Sequence, residues 1–175
     1  MALHGYVNTM HTMSWDVDAC NMAGVATTDL DNGVMVTLSK VNQDAKNVIK
    51  GFEYQVAPAQ EASTQVWVVA SPEVGSTLEQ QLLADPRQFY NAKGEAMSIK
   101  ALVPGIDVIE VTKECFVGGT MPTATNNKVK IGANGKLVAA TAAPSTGAYF
   151  TFEGFHTVTI GMEEVQTAVL RCARN

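Results

Sequence analysis

Few residues in this chain combine a type and a spacing that could do chemistry. The stretch "VKIGANGKLVAAT", Val129 to Thr141, places two glycines before a lysine. A phosphate-binding loop needs two glycines separated by four residues and then Lys with Ser or Thr, so that backbone N–H groups ring the phosphates and a hydroxyl reaches magnesium. Here Gly132 and Gly135 are separated by only two residues and Leu137 follows Lys136, so the loop is too short and lacks the hydroxyl. Asn134-Gly135 instead suits the centre of a type I′ turn, where both residues need positive φ. A hairpin centred there sets Ile131 opposite Val138 and Val129 opposite Ala140, with Lys130 on the other face beside Ala139.

"DLDNG", Asp29 to Gly33, begins like a calcium loop, but the glycine falls at the fifth position and Lys40 stands where a bidentate glutamate belongs. An Asp/Asn/Gly turn into a strand at Val34 is the reading. Histidines 4, 11 and 156 have neither i, i+4 nor His-x-His spacing, and no Gly-x-Ser-x-Gly elbow presents a nucleophile. Cys20, Cys115 and Cys172 lie far apart, without the paired spacings of zinc or redox motifs. They read as buried free thiols of a protein folded in a reducing cytoplasm. The expectation is no enzyme, with no catalytic residue, metal or cofactor.

The elements that would position any site are mostly strands. After residue 33 the apolar residues recur with period two and are broken at Gly, Pro and Asn. Ten segments follow: Val34–Val41, Phe52–Ala57, Val66–Ala70, Met97–Val103, Val108–Val117, the two hairpin arms, Tyr149–Gly154, His156–Ile160 and Thr167–Ala173. The fold class is therefore mainly β, a single-domain β-barrel or β-sandwich with one short helix and an extended N-terminal arm. The helix is "STLEQQLL", with Ser76 as N-cap and Glu79 completing a capping box, ending by Ala84 because Asp85-Pro86 stops it. Trp67 sits in an unbroken apolar strand, which requires both faces to be covered. Glu53, Lys100, Glu110 and Lys113 fall opposite apolar neighbours and read as solvated faces.

Residues 1–32 stand apart from the β domain of residues 33–175. Tyr6, Met10, Met13 and Trp15 give neither a clean strand nor a capped helix, and four of the eight methionines fall in the first 22 positions. Such a segment fits either a lid over the core or an arm laid on a neighbour, because Met and Trp adapt to an imposed surface. On the arm reading these four side chains are the partner-binding residues.

A chain of 175 residues with 46% hydrophobic residues can bury one well-packed domain. Its net charge of −5 draws it to neither nucleic acid nor an anionic membrane. The start lacks a basic region followed by an apolar core, and the densest apolar run, "VWVVA", is far below the roughly 20 residues that span a bilayer. No secretory signal and no transmembrane helix are expected.

The order of "VWVVASPEV", "FYNAKG", Gly105-Ile106-Asp107 before "VIEVTKECF", the Gly135-Lys136-Leu137 hairpin and a last strand at the C-terminus resembles the small head decoration (auxiliary capsid) proteins of tailed bacteriophages, particularly those of Gram-positive bacteria. The resemblance covers roughly residues 33–175. It implies a structural virion protein made in the host cytoplasm, a symmetric homo-oligomer that binds the outside of a shell of major capsid protein and reinforces contacts between capsomers. Tail or baseplate components share the same β physics, and a small ligand-binding β domain or enzyme would need a concave pocket with convergent polar groups.

Overall fold

The computed structural model describes residues 3–13, 20–44, 46–73, 85–160 and 162–175. It is mainly β, as expected. The strands are β1 (Val7–His11), β2 (Asn21–Ala26), β3 (Met35–Gln43), β4 (Ile49–Pro58), β5 (Trp67–Val69), β6 (Ala96–Ala101), β7 (Val108–Val111), β8 (Lys128–Ile131), β9 (Leu137–Ala140), β10 (Tyr149–Ile160) and β11 (Glu163–Arg174). The order β2-β4-β3-β5-β6 closes into a five-stranded barrel, and β1-β7-β11-β10-β8-β9 form a six-stranded sheet. The barrel closes by antiparallel pairing of β6 with β2, and only β2 and β4 run parallel within it.

The unbroken apolar runs form the wall between the two units. In β5 and its flank, Val66 and Val68 enter the core shared with the six-stranded sheet, while Trp67 and Val69 face the barrel interior. The alternation repeats at Val34, Met35 and Val36, where Met35 faces the sheet and the two valines face the barrel. Both faces of this wall are covered apart from the half-buried Trp67, so neither face is polar. The larger core packs Val129, Ile131, Leu137, Phe150 and Leu170 of the sheet against Phe116 and Cys115, all essentially inaccessible.

Several local expectations are corrected. The described part of the first 32 residues is no separate arm: β1 pairs with β7, and β2 closes the barrel. Its short strands carry small and polar residues whose burial is set by distant partners, which hides the period-two signal. The helix expected over Ser76–Ala84 lies outside the described residues. The two strands expected on either side of Gly154 are one, because a bulge between Phe152 and Gly154 bends β10 without ending its pairing with β11. Conversely, β7 stops at Val111. The chain then makes tight turns, Cys115 N–H to Thr112 O and Phe116 N–H to Lys113 O, which drop Cys115 and Phe116 into the core.

At the Asn134-Gly135 turn, Lys136 N–H donates to Ala133 O at 3.1 Å and both central residues have positive φ, 56° and 70°. The turn type is the one expected, but the register is not. Gly132 N–H also donates to Lys136 O at 2.6 Å, so Gly132 and Ala133 together face Lys136. This bulge pairs Ile131 with Leu137, Lys130 with Val138 and Val129 with Ala139. The shift sends Leu137 rather than Val138 into the core.

Candidate interaction surface

Strand β1 lies at one edge of the six-stranded sheet and carries Met10, one of the four residues expected to bind a partner, with Tyr6 just before it and Met13 two residues after its end. Tyr6 is tied to the end of β7: its N–H donates to Thr112 Oγ1 and its carbonyl accepts from Thr112 N–H, both at 3.2 Å. Val7 and Thr9 point inward, each 6% exposed. A register shift follows between Asn8 and His11, three steps on β1 against two on β7. Within it Asn8 Oδ1 accepts from Met10 N–H at 3.0 Å, and the strand ends as Thr12 donates from both N–H and Oγ1 to Thr9 O.

The bulge turns Met10 outward, 57% exposed. Met13, 41% exposed, is held by its backbone: its N–H donates to Asp107 Oδ1 at 2.8 Å. Asp107 is itself buried, and its Oδ2 accepts from Val103 N–H at 2.7 Å. Ile106, immediately before it, is 57% exposed. Met10, Met13 and Ile106 thus stand in water on backbone that is hydrogen-bonded in place. Trp15 lies outside the described residues.

Tyr6 is no exposed anchor. It is half-buried beside a groove of about 420 Å³ between β1 and the segment Ala70–Glu73, with Ser98 and Lys100 of β6 across it. Burial raises the Tyr6 phenol, and the Glu73 and Glu110 carboxylates raise it further. Burial also raises the Glu73 carboxyl against the hydrogen bond from Asn32, and lowers the Lys100 ammonium. A carboxyl with a raised folded pKa favours folding most below its unfolded pKa of ~4.3, and that contribution disappears as pH climbs through the folded value. Glu73→Gln keeps an acceptor for Asn32 and removes the charge. It is expected to raise the melting temperature by ~1–3 °C at pH 7 and to make no difference near pH 4, read by thermal denaturation at both pH values.

Two features escaped the sequence reading. Glu110, expected on a solvated face, is 6% exposed: its Oε2 lies 2.9 Å from His156 Nδ1 and 3.4 Å from Thr167 Oγ1, which cover the outer face of β7. Asn32, inside the predicted Asp/Asn/Gly turn, is also buried. Its amide donates to Ser71 O at 2.9 Å and accepts from Ser71 N–H and Asn91 Nδ2, both at 3.1 Å. Neither contact has a local signature, because each partner lies more than 30 residues away.

Other candidate groups are scattered. His4 Nδ1 lies 2.7 Å from Asp31 Oδ1 and its ring stacks on Tyr90, with Lys136 Nζ 3.6 Å from the second oxygen of Asp31. His11 is exposed at the end of β1. Cys115 and Cys172 are buried free thiols, each pushed up to about 12 chiefly by burial, and at neutral pH both stay protonated. Cys20 is free and half-buried. Among the described residues no group of three or more His, Cys, Asp or Glu is placed to hold a metal ion. Comparison with known protein families, with curated proteins and with solved structures finds no match for this chain.

Proposed function

We propose that this chain is a structural virion protein that binds the outer surface of a tailed-phage head and stabilises contacts between capsomers, with the major capsid protein and copies of itself as partners. The observation that carries the reading is the trio Met10, Met13 and Ile106, apolar side chains exposed on backbone fixed by the β1–β7 ladder and by Asp107. Apolar groups held in water on an ordered backbone lose little further entropy on docking, which favours association with a partner surface. Methionine adapts to the shape it meets. The resemblance of the order of segments in the sequence to that of head decoration proteins points the same way. A catalytic role has less support: the buried thiols are protonated, and the two histidine–carboxylate pairs, His4–Asp31 and His156–Glu110, have no nucleophile in contact with the imidazole among the described residues.

The test is co-sedimentation of the purified protein with tailed-phage heads assembled from major capsid protein. Wild type is expected to pellet with heads. The double variant Met10→Asp/Met13→Asp should bind at least about tenfold more weakly while keeping its circular dichroism spectrum and melting temperature, since burying two unpaired carboxylates in an apolar contact costs more than the ~1.4 kcal/mol that a tenfold loss represents. A wild-type protein that stays in the supernatant, or a variant that binds as wild type does, would overturn the proposal. Pelleting with tails but not heads would point to the tail component instead.

A further inference from the structure

Strand β10 leaves a long edge open. On one side it pairs with β11 along its whole length. On the other, β8 covers only Tyr149, Phe150 and Thr151, and Phe152 N–H donates to Asn127 O at 2.9 Å. Across residues 153–160 no described residue pairs with that side, so every second residue there turns an unpaired N–H and C=O outward. The end of the strand is nevertheless tied down. Ile160 is 4% exposed, and Arg87 Nη2 donates to Glu163 Oε2 just past the turn at 2.7 Å.

An open edge is a template for another strand, and proteins block such edges with charges, bulges or short length. The other open edges here are blocked in these ways. β1 has five residues and a register shift. β3 is open over residues 37–43 but carries Lys40 and two register shifts. β4 carries Lys50 and Glu53 where β2 leaves it, and β11 carries Glu163 and Glu164 beyond its pairing with β7. Residues 154–160 of β10, "GFHTVTI", have no Lys, Arg, Asp, Glu or Pro and no register shift.

We infer that this edge pairs with the same edge of a second copy, antiparallel about a two-fold axis at Thr157, the middle of residues 154–160. Charge favours a like partner. The window is free of carboxylates, ammonium and guanidinium groups, and the carboxylates at its ends are already held by arginines. Glu153 Oε1 accepts from Arg171 Nε at 2.8 Å, and Glu163 from Arg87. Two identical edges therefore meet without opposing like charges. The axis sets Phe155 opposite Thr159 and His156 opposite Val158, each twice. Phe155, 46% exposed beside Phe152 at 4.8 Å, gains an aromatic to β-branched pair of the kind that stabilises sheets. The contact is isologous and closes as a dimer. It rests on the reading above for like copies as partners, but β7 and β11 separate it from β1 and Met10, so capsid binding and self-pairing can fail separately.

The experiment is analytical ultracentrifugation of the full chain across a concentration series, without capsid protein. Wild type should sediment as a dimer that dissociates on dilution. Thr157→Lys and Thr157→Asp each set like charges face to face across the axis and should weaken association by about tenfold or more. Thr157 is exposed, so both variants should melt where wild type does. An equimolar mixture sets Lys against Asp and should recover a one-to-one heterodimer, while Met10→Asp should dimerise as wild type does. Hydrogen exchange reads the contact without a substitution: amides of residues 154–160 should gain protection as wild-type concentration rises. A monomeric wild type, a Thr157→Lys variant that associates normally, a mixture that stays monomeric, a Met10→Asp variant that no longer dimerises, or exchange at residues 154–160 that ignores concentration would overturn the inference.

Discussion

Gly135→Ala is expected to destabilise the protein by about 2–5 kcal/mol, lowering the melting temperature by roughly 5–15 °C. Two costs add at this position. The residue has φ of 70°, where a Cβ crowds the following carbonyl, worth about 1–2 kcal/mol. A Cβ there would also overlap the Met35 carbonyl oxygen and lie 2.8 Å from Val34 Cγ1, so the hairpin could no longer rest on β3, at a further cost of about 1–3 kcal/mol. Gly94→Ala separates the two terms. Its φ is 80°, but a Cβ there meets nothing within 4 Å, so only the backbone strain of about 1–2 kcal/mol should appear. Equal losses in the two variants, read by urea denaturation, would show that the approach of the turn to Met35 holds nothing together.

Removing residues 1–12 should cost at least about 4 kcal/mol and about 10 °C in melting temperature, and aggregation on warming should follow. Val7 is a buried side chain worth about 1.5–3 kcal/mol. The ladder from Val7 to Val111, Asn8 to Glu110 and His11 to Val108 would be lost, along with the bonds between Tyr6 and Thr112. Gly5 packs so closely that a Cβ would overlap Asn32 O and lie 2.9 Å from Cys115 Sγ, so cutting it away opens the core at Cys115. The deletion would also bare β7 as a new edge, and an uncovered edge pairs with other chains. An arm that merely rests on neighbours would behave in the opposite way, leaving the melting temperature of the isolated protein unchanged. That result would move β1 out of the folded body.

Much of the fold was legible because strands announce themselves locally. β3, β4, β6 and the β8–β9 hairpin fall within a few residues of where period two and turn chemistry put them, and Asn134-Gly135 adopts the conformation its residue types favour. β1 and β2 were not legible. "VNTMH" and "NMAGVA" lack a sustained alternation, and they become strands because β7, β4 and β6 offer them edges from far along the chain. The candidate surface divides the same way. Met10 and Met13 were singled out for their composition and are exposed, whereas Tyr6 is half-buried, and the exposure of Phe52 went unnoticed because "FEYQVA" reads as an ordinary strand.

The mainly β class and the turn type at Asn134-Gly135 could be read directly from residue order, because each depends on the periodicity or chemistry of a few neighbouring residues; all three thiols were expected to be buried, and Cys20 is only half-buried. The one-residue register shift at Gly132, the division of strands between a closed barrel and a six-stranded sheet, the burial of Glu110 under His156 and the exposure of Phe52 could not. Each of these depends on which distant segment occupies the other side of a strand. A period-two pattern says that a residue points one way or the other, and only the packed neighbours decide which way is inside.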